Sequence, residues 1–158
     1  MAFIQNCAAS DITTGMFYQN PGQNSMLIQI VDPGGWKPTP KHNFKEVHCF
    51  EFLDIEKDDI VFDEECRVSD LQAALLVGLL AYAFEHNMNV IVHCTAGICR
   101  SGAVCEVGVM MGFEDLKKYR QPNLLVKHKM MKVLGMTYDE DEVSEPINLK
   151  DNNWEGDI

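Results

Sequence analysis

One stretch carries residue types that can do chemistry together: Val90-Ile91-Val92-His93-Cys94-Thr95-Ala96-Gly97-Ile98-Cys99-Arg100-Ser101. A thiol becomes a strong nucleophile when ionised, and a helix N-terminus with a nearby cation favours the thiolate. An ionised Cys94 would attack an electrophile held beside it. The planar guanidinium of Arg100 can grip two oxygens of a phosphate and follow them into the transition state. Gly97 permits a backbone turn that a Cβ would obstruct. Ser101 places a hydroxyl where it can stabilise the thiolate as it leaves. His93 would organise the loop by hydrogen bonds rather than carry protons.

The flanking elements must aim these groups. Val90, Ile91 and Val92 are β-branched in succession and read as a short buried strand. From Arg100 the apolar run Ala103, Val104, Cys105, Val107, Val109, Met110, Met111 reads as a buried helix. Strand, tight loop and helix build an anion site, because successive loop N–H groups and the helix N-terminus point at one spot. The phosphate-binding set is therefore Thr95, Ala96, Gly97, Ile98, Cys99 and Arg100.

The run HCTAGICRS resembles the His-Cys-x5-Arg-Ser signature of the cysteine-based protein tyrosine phosphatases. It is closest to the small dual-specificity branch, in a bacterial and phage type. The turn Asp32-Pro33-Gly34, the run Phe52-x-Asp54-Ile55, a capped helix and the pair Pro122-Asn123 look like the same group. Cys99 departs from it, since a serine is frequent there, and the chain beyond Met136 has no counterpart in it. The resemblance implies a cysteine-dependent hydrolase of phosphotyrosine, and of phosphoserine/threonine, in proteins or peptides. It implies a phosphocysteine intermediate and neither cofactor nor metal. A phosphopeptide-binding pseudophosphatase and a phosphatase of non-protein phosphate esters are the alternatives. The uncharged Thr95, Ile98 and Cys99 weigh against inositol phosphates.

Such a reaction needs an acid to protonate the leaving oxygen, supplied from another loop. Asp54 follows an expected strand, and a parallel neighbour would bring it to the same sheet edge as Cys94. Asp58 and Asp59 are the other candidates. The segment from Asp54 to Glu65 holds seven carboxylates in twelve residues, and most of them belong to a solvated loop.

Elsewhere, Met26–Val31 reads as a buried strand closed by Asp32-Pro33-Gly34-Gly35, and Val47–Leu53 as another with Phe50 and Phe52 on one face. Ser69-x-x-Gln72 is a capping box opening a helix with the stripe Leu71, Leu75, Leu79, Tyr82. Phe113–Arg120 is expected to be a short helix, and Pro122 the first residue of another that ends at a Gly135 cap. Of the first 24 residues, only Phe3-Ile4 suggests a strand. Alternating strands and helices give an α/β fold. The expectation is a single domain with a central, mostly parallel sheet flanked by helices. The phosphate-binding loop would lie between a central strand and a buried helix.

A length of 158 residues suits one domain with a sizeable core. The phosphatase domain is expected over 1–137, with an acidic C-terminal tail over 138–158. In that tail eight acids (Asp139, Glu140, Asp141, Glu142, Glu145, Asp151, Glu155, Asp157) face Lys150, which places −7 of the net −11 there. The remaining acidity argues against nucleic acid and anionic membranes as partners. A start without basic or strongly apolar character suggests a cytoplasmic protein, and a monomer is expected. Six cysteines without an export signal read as reduced thiols, and none has zinc-site spacing.

Overall fold

The structure is a computed structural model that describes residues 1–56 and 66–136. The elements run β1 (Phe3–Ala8), α1 (Ala9–Thr14), β2 (Ser25–Val31), β3 (Glu46–Glu51), α2 (Asp70–Glu85), β4 (Asn89–Cys94), α3 (Arg100–Met111), β5 (Glu114–Asp115) and α4 (Leu124–Val133). The strands form one sheet in the order β3-β2-β4-β1-β5, and every pairing is parallel. The expected "mostly parallel" sheet is thus entirely parallel. Asp58, Asp59 and the acidic tail lie outside the described residues.

Alternation along the strands divides the core in two. Ile4, Met26, Ile28, Ile30, Val90 and Val92 face α2, α3 and α4, while Phe3, Leu27 and Ile91 face α1 and the ring of Phe44. With the sheet covered on both faces, β2 and β4 must be nearly continuous apolar runs, which is what made them legible.

Three expectations are corrected. Of the stripe Leu71, Leu75, Leu79, Tyr82, Leu79 packs against the core but Leu71, Leu75 and Tyr82 do not, being 69%, 51% and 41% exposed, and the helix buries Ala73, Leu76, Val77, Leu80 and Ala83. Apolar residues lie on both sides of α2, so spacing alone leaves its rotation open. Gln72 Nε2, donating to Glu51 O at 3.0 Å, pins the first turn against the end of β3. Phe113–Arg120 is not a helix. Glu114 and Asp115 pair with β1, Lys117 takes φ 59°, and Arg120 turns back onto Glu106 and Asp115. Pro122 precedes the helix rather than opening it, because Asn123 is the N-cap of α4, its side chain accepting from Val126 N.

A strand also appears where composition gave little signal. β1 lies inside the sheet between β4 and β5 although Gln5 and Asn6 are polar and buried. Gln5 is satisfied by Tyr18 N and Gln19 O, while Asn6 Nδ2 donates to Gly97 O of the loop and to Tyr119 O, its Oδ1 having no partner among the described residues.

These placements predict a sharp contrast in α2. Leu76→Ala should destabilise by about 2–5 kcal/mol, whereas Leu75→Ala should stay within about 0.5 kcal/mol, as read by urea denaturation. A second expectation concerns His93, which alternates with Val92 onto the α1 face of β4 and is fully buried. Burial pushes its imidazole down to about 4, and the Arg100 charge acts in the same direction. The folded protein keeps His93 neutral while the unfolded chain protonates it below about pH 6.5. Stability should therefore fall as pH drops from about 6.5 toward 4, by up to about 3 kcal/mol from this group. Half-buried His128 is pushed down in the same way, chiefly by desolvation. Unfolding midpoints of wild type and His93→Gln across that range check the His93 share.

Candidate active site

Cys94 is the last residue of β4, and Arg100 the first of α3. The loop between them is held from outside through its carbonyls. Thr95 O accepts from Ala9 N (3.3 Å), Gly97 O from Asn6 Nδ2 (2.7 Å) and Ile98 O from Gln121 N (3.1 Å). Cys99 O accepts from Asn123 N (2.9 Å) and Ala103 N (3.0 Å). With the carbonyls turned outward, the N–H groups of Ala96, Gly97, Ile98 and Cys99 have no protein acceptor among the described residues. They are donors left unpaired at one loop, and unpaired backbone donors of successive residues suit an oxyanion.

Gly97 is required for this shape. Its φ is 76°, and a Cβ there would overlap the backbone of Cys7 and Ala8. The loop packs directly on the end of β1, which pairs with β4 through Ala8↔Cys94.

Cys94 is buried, with Sγ 3.1 Å from the Oγ of fully buried Ser101. His93 Nδ1 lies 3.5 Å from Cys94 O, and its Nε2 has no partner among the described residues. Neutral and enclosed, His93 makes only this 3.5 Å approach to the loop among the described residues. Arg100 is buried as well. Its Nη1 donates to Asp32 Oδ1 (2.7 Å) and Phe52 O (2.8 Å), and Nη2 to Thr95 Oγ1 (3.2 Å). Both Nη1 hydrogens are thereby used. Among the described residues this leaves Nε–H and one Nη2–H along a single edge, the pairing that fits two oxygens of a tetrahedral anion.

Asp54 does reach this edge of the sheet, but by a longer route than a neighbouring strand. β3 is the outer strand and β2 separates it from β4. Asp54 is exposed, and its Oδ1 accepts from Asn123 Nδ2 at 2.6 Å. The Cys99 thiol faces it, pushed up by burial first and then by the Asp54 charge.

Several contributors escaped the sequence. Asp32 read only as a turn residue, yet it follows β2, the strand beside β4, and carries the ion pair to Arg100. The edge argument applied to Asp54 points to Asp32 with one strand less between. Asn6 had no local signal, since its partners are 91 and 113 residues away. Arg120 binds Asp115 through two nitrogens and Glu106 through Nε, with Lys127 3.6 Å from Glu106. That cluster fixes the segment whose Gln121 and Asn123 hold the loop. Among the described residues no group of His, Cys, Asp and Glu is placed to hold a metal ion, and no helix is long and apolar enough to cross a membrane. All six thiols are free.

No family model matches the chain, and no curated protein is significantly similar to it. Solved structures are similar. One is OH1 from the Orf virus, described as a tyrosine phosphatase that displays distinct structural features and triple substrate specificity. At 17% identity its TM-score is 0.51, over 84% of this chain and 82% of OH1. What the two share is the fold: a single α/β domain with a central parallel sheet flanked by helices, consistent with the dual-specificity phosphatase fold.

Proposed function

We propose that this protein is a cysteine-dependent phosphatase that hydrolyses phosphotyrosine, and phosphoserine/threonine, in proteins or peptides. The observation that carries the reading is the pairing of an outward-bonded loop with an Arg100 edge left open beside Cys94. Phosphate oxygens would take the loop N–H groups and the Nε/Nη2 edge, presenting phosphorus to Sγ. Cys94 attacks in line as the bond to the leaving oxygen breaks. Asp54 gives that oxygen its proton. Water then attacks the phosphocysteine, with the Asp54 carboxylate taking its proton. The thiolate departs toward Ser101, whose Oγ–H can donate to it at the 3.1 Å separation. Every group in this scheme belongs to the chain, and no cofactor is invoked.

The uncharged side chains of Thr95, Ile98 and Cys99 favour a phosphate on a protein over a polyanionic ester. Similarity in fold to a tyrosine phosphatase supports the same chemistry.

Hydrolysis of an aryl phosphate should fall to background in Cys94→Ser, while that variant still binds phosphopeptide. Arg100→Lys, which keeps the charge and loses the two-point edge, should lower kcat by about 10²–10³. Undiminished turnover in Cys94→Ser would end the cysteine mechanism, and phosphopeptide binding by a wild type without turnover would favour a binding module. Asp54→Asn should lower kcat by about 10²–10⁴ and flatten the basic limb of the pH profile. Loss of that limb in Asp58→Asn or Asp59→Asn instead would move the acid to those positions.

A further inference from the structure

Asn123 is fully buried, and every polar group on it is engaged. Its N–H donates to Cys99 O in the loop (2.9 Å), and its Oδ1 accepts from Val126 N as the cap of α4 (3.0 Å). Its Nδ2 donates to Asp54 Oδ1 (2.6 Å) and to Ile55 O (3.2 Å). The cap fixes which way the amide is turned. An acceptor must face Val126 N–H, so the NH₂ group must face Asp54.

We propose that Asn123 is the positioning residue for the acid: the amide that caps α4 also aims the Asp54 carboxyl at the anion cradle. This rests on Asp54 being the acid of the proposed reaction. Three observations carry it beyond a structural cap. Besides its bonds to Val31 O and Cys66 O, the segment before Asp54 is tied through Phe52 O to Arg100 Nη1, so two of the anchors of the acid segment, Arg100 and Asn123, are groups that also touch the loop. Oδ1 of Asp54 takes the amide, which leaves Oδ2 to carry the proton, and the Cys99 thiol is the other group hydrogen-bonded to this carboxyl. Asp32, the other acid at this edge, is committed to Arg100. Among the described residues, the titratable groups facing Asp54 from the elements packed on it are few. Cys99 from the loop faces it directly, and Cys94 and Glu56 lie close enough to act on Cys99 as well. Asn123 itself is uncharged.

Two substitutions separate aiming from capping. Asn123→Asp keeps an acceptor for Val126 N–H, removes the donor, and sets a second carboxylate against Asp54. Asn123→Ser keeps a capping hydroxyl and removes the amide donor to Asp54. The measurement is the pH profile of kcat/KM, together with kcat on phenyl phosphate and on an ester with an activated leaving group that needs little protonation. In Asn123→Asp the basic limb should move to higher pH by about one unit or more, because a like charge holds the proton on the acid. In Asn123→Ser, kcat on phenyl phosphate should fall roughly tenfold and on the activated ester less than twofold. Added to Asp54→Asn, Asn123→Ser should cause no further loss on phenyl phosphate. An unmoved limb in Asn123→Asp, or equal losses on both esters in Asn123→Ser, would overturn the inference while leaving Asp54 as the acid. A basic limb that survives in Asp54→Asn would overturn the acid assignment and this inference with it. Should Asn123→Asp not fold, the ester comparison in Asn123→Ser decides alone.

Discussion

The site depends on where four carbonyl oxygens point. A loop can offer its N–H groups to an anion only if its C=O groups find donors elsewhere, because an unpaired buried carbonyl costs about 1–3 kcal/mol. Thr95, Gly97, Ile98 and Cys99 find theirs in three different parts of the chain: the start of α1, the side chain of Asn6, and the segment ahead of α4. Each donor is held in turn. Ala9 follows β1 in the sheet, Asn6 sits within it, and the segment holding Gln121 and Asn123 is clamped by Arg120 to Glu106 and Asp115. The Arg120 cluster thus acts on the cradle without approaching an anion in it.

Arg100 poses a related electrostatic problem. A buried guanidinium is tolerated where its donors are met and its charge compensated. Asp32 and Phe52 O do this on one side, and a bound phosphate would do so on the other. The chain carries a net charge of −11, so in the proposed function a phosphate would approach the loop against a repulsive field. Substrates that already carry acidic flanks would feel that field most.

The motif and the two elements around it were legible because buried β-branched runs and a continuous apolar helix leave little choice of register. Val90–His93 became Asn89–Cys94, and a helix expected from Arg100 runs Arg100–Met111. The parts that were not legible depend on distant partners. β1 hides behind Gln5 and Asn6, whose polar side chains fit a core only because carbonyls of other segments receive them. The outward stripe of α2 cannot be told from an inward one, since Ala73 and Ala83 carry no strong apolar signal yet lie on the buried face. Residues 113–120 have local helical character but are drawn into a strand and a charge cluster. Asp54 could be placed at the right edge from its position after a strand, but its link to Asn123 spans 69 residues and leaves no local trace.

The contact between Gly97 and the backbone of Cys7 and Ala8 has a thermodynamic side. A loop pressed onto a central strand has little freedom left to lose, so an anion entering it spends almost no binding energy on ordering the chain. The same stiffness works on the way out. After turnover in the proposed reaction, inorganic phosphate would meet a cradle already shaped for it, held by a loop with little room to relax. In the proposed reaction, product release would compete with the chemical steps for control of the rate. Free phosphate in the surroundings would then act as a standing competitor of substrate.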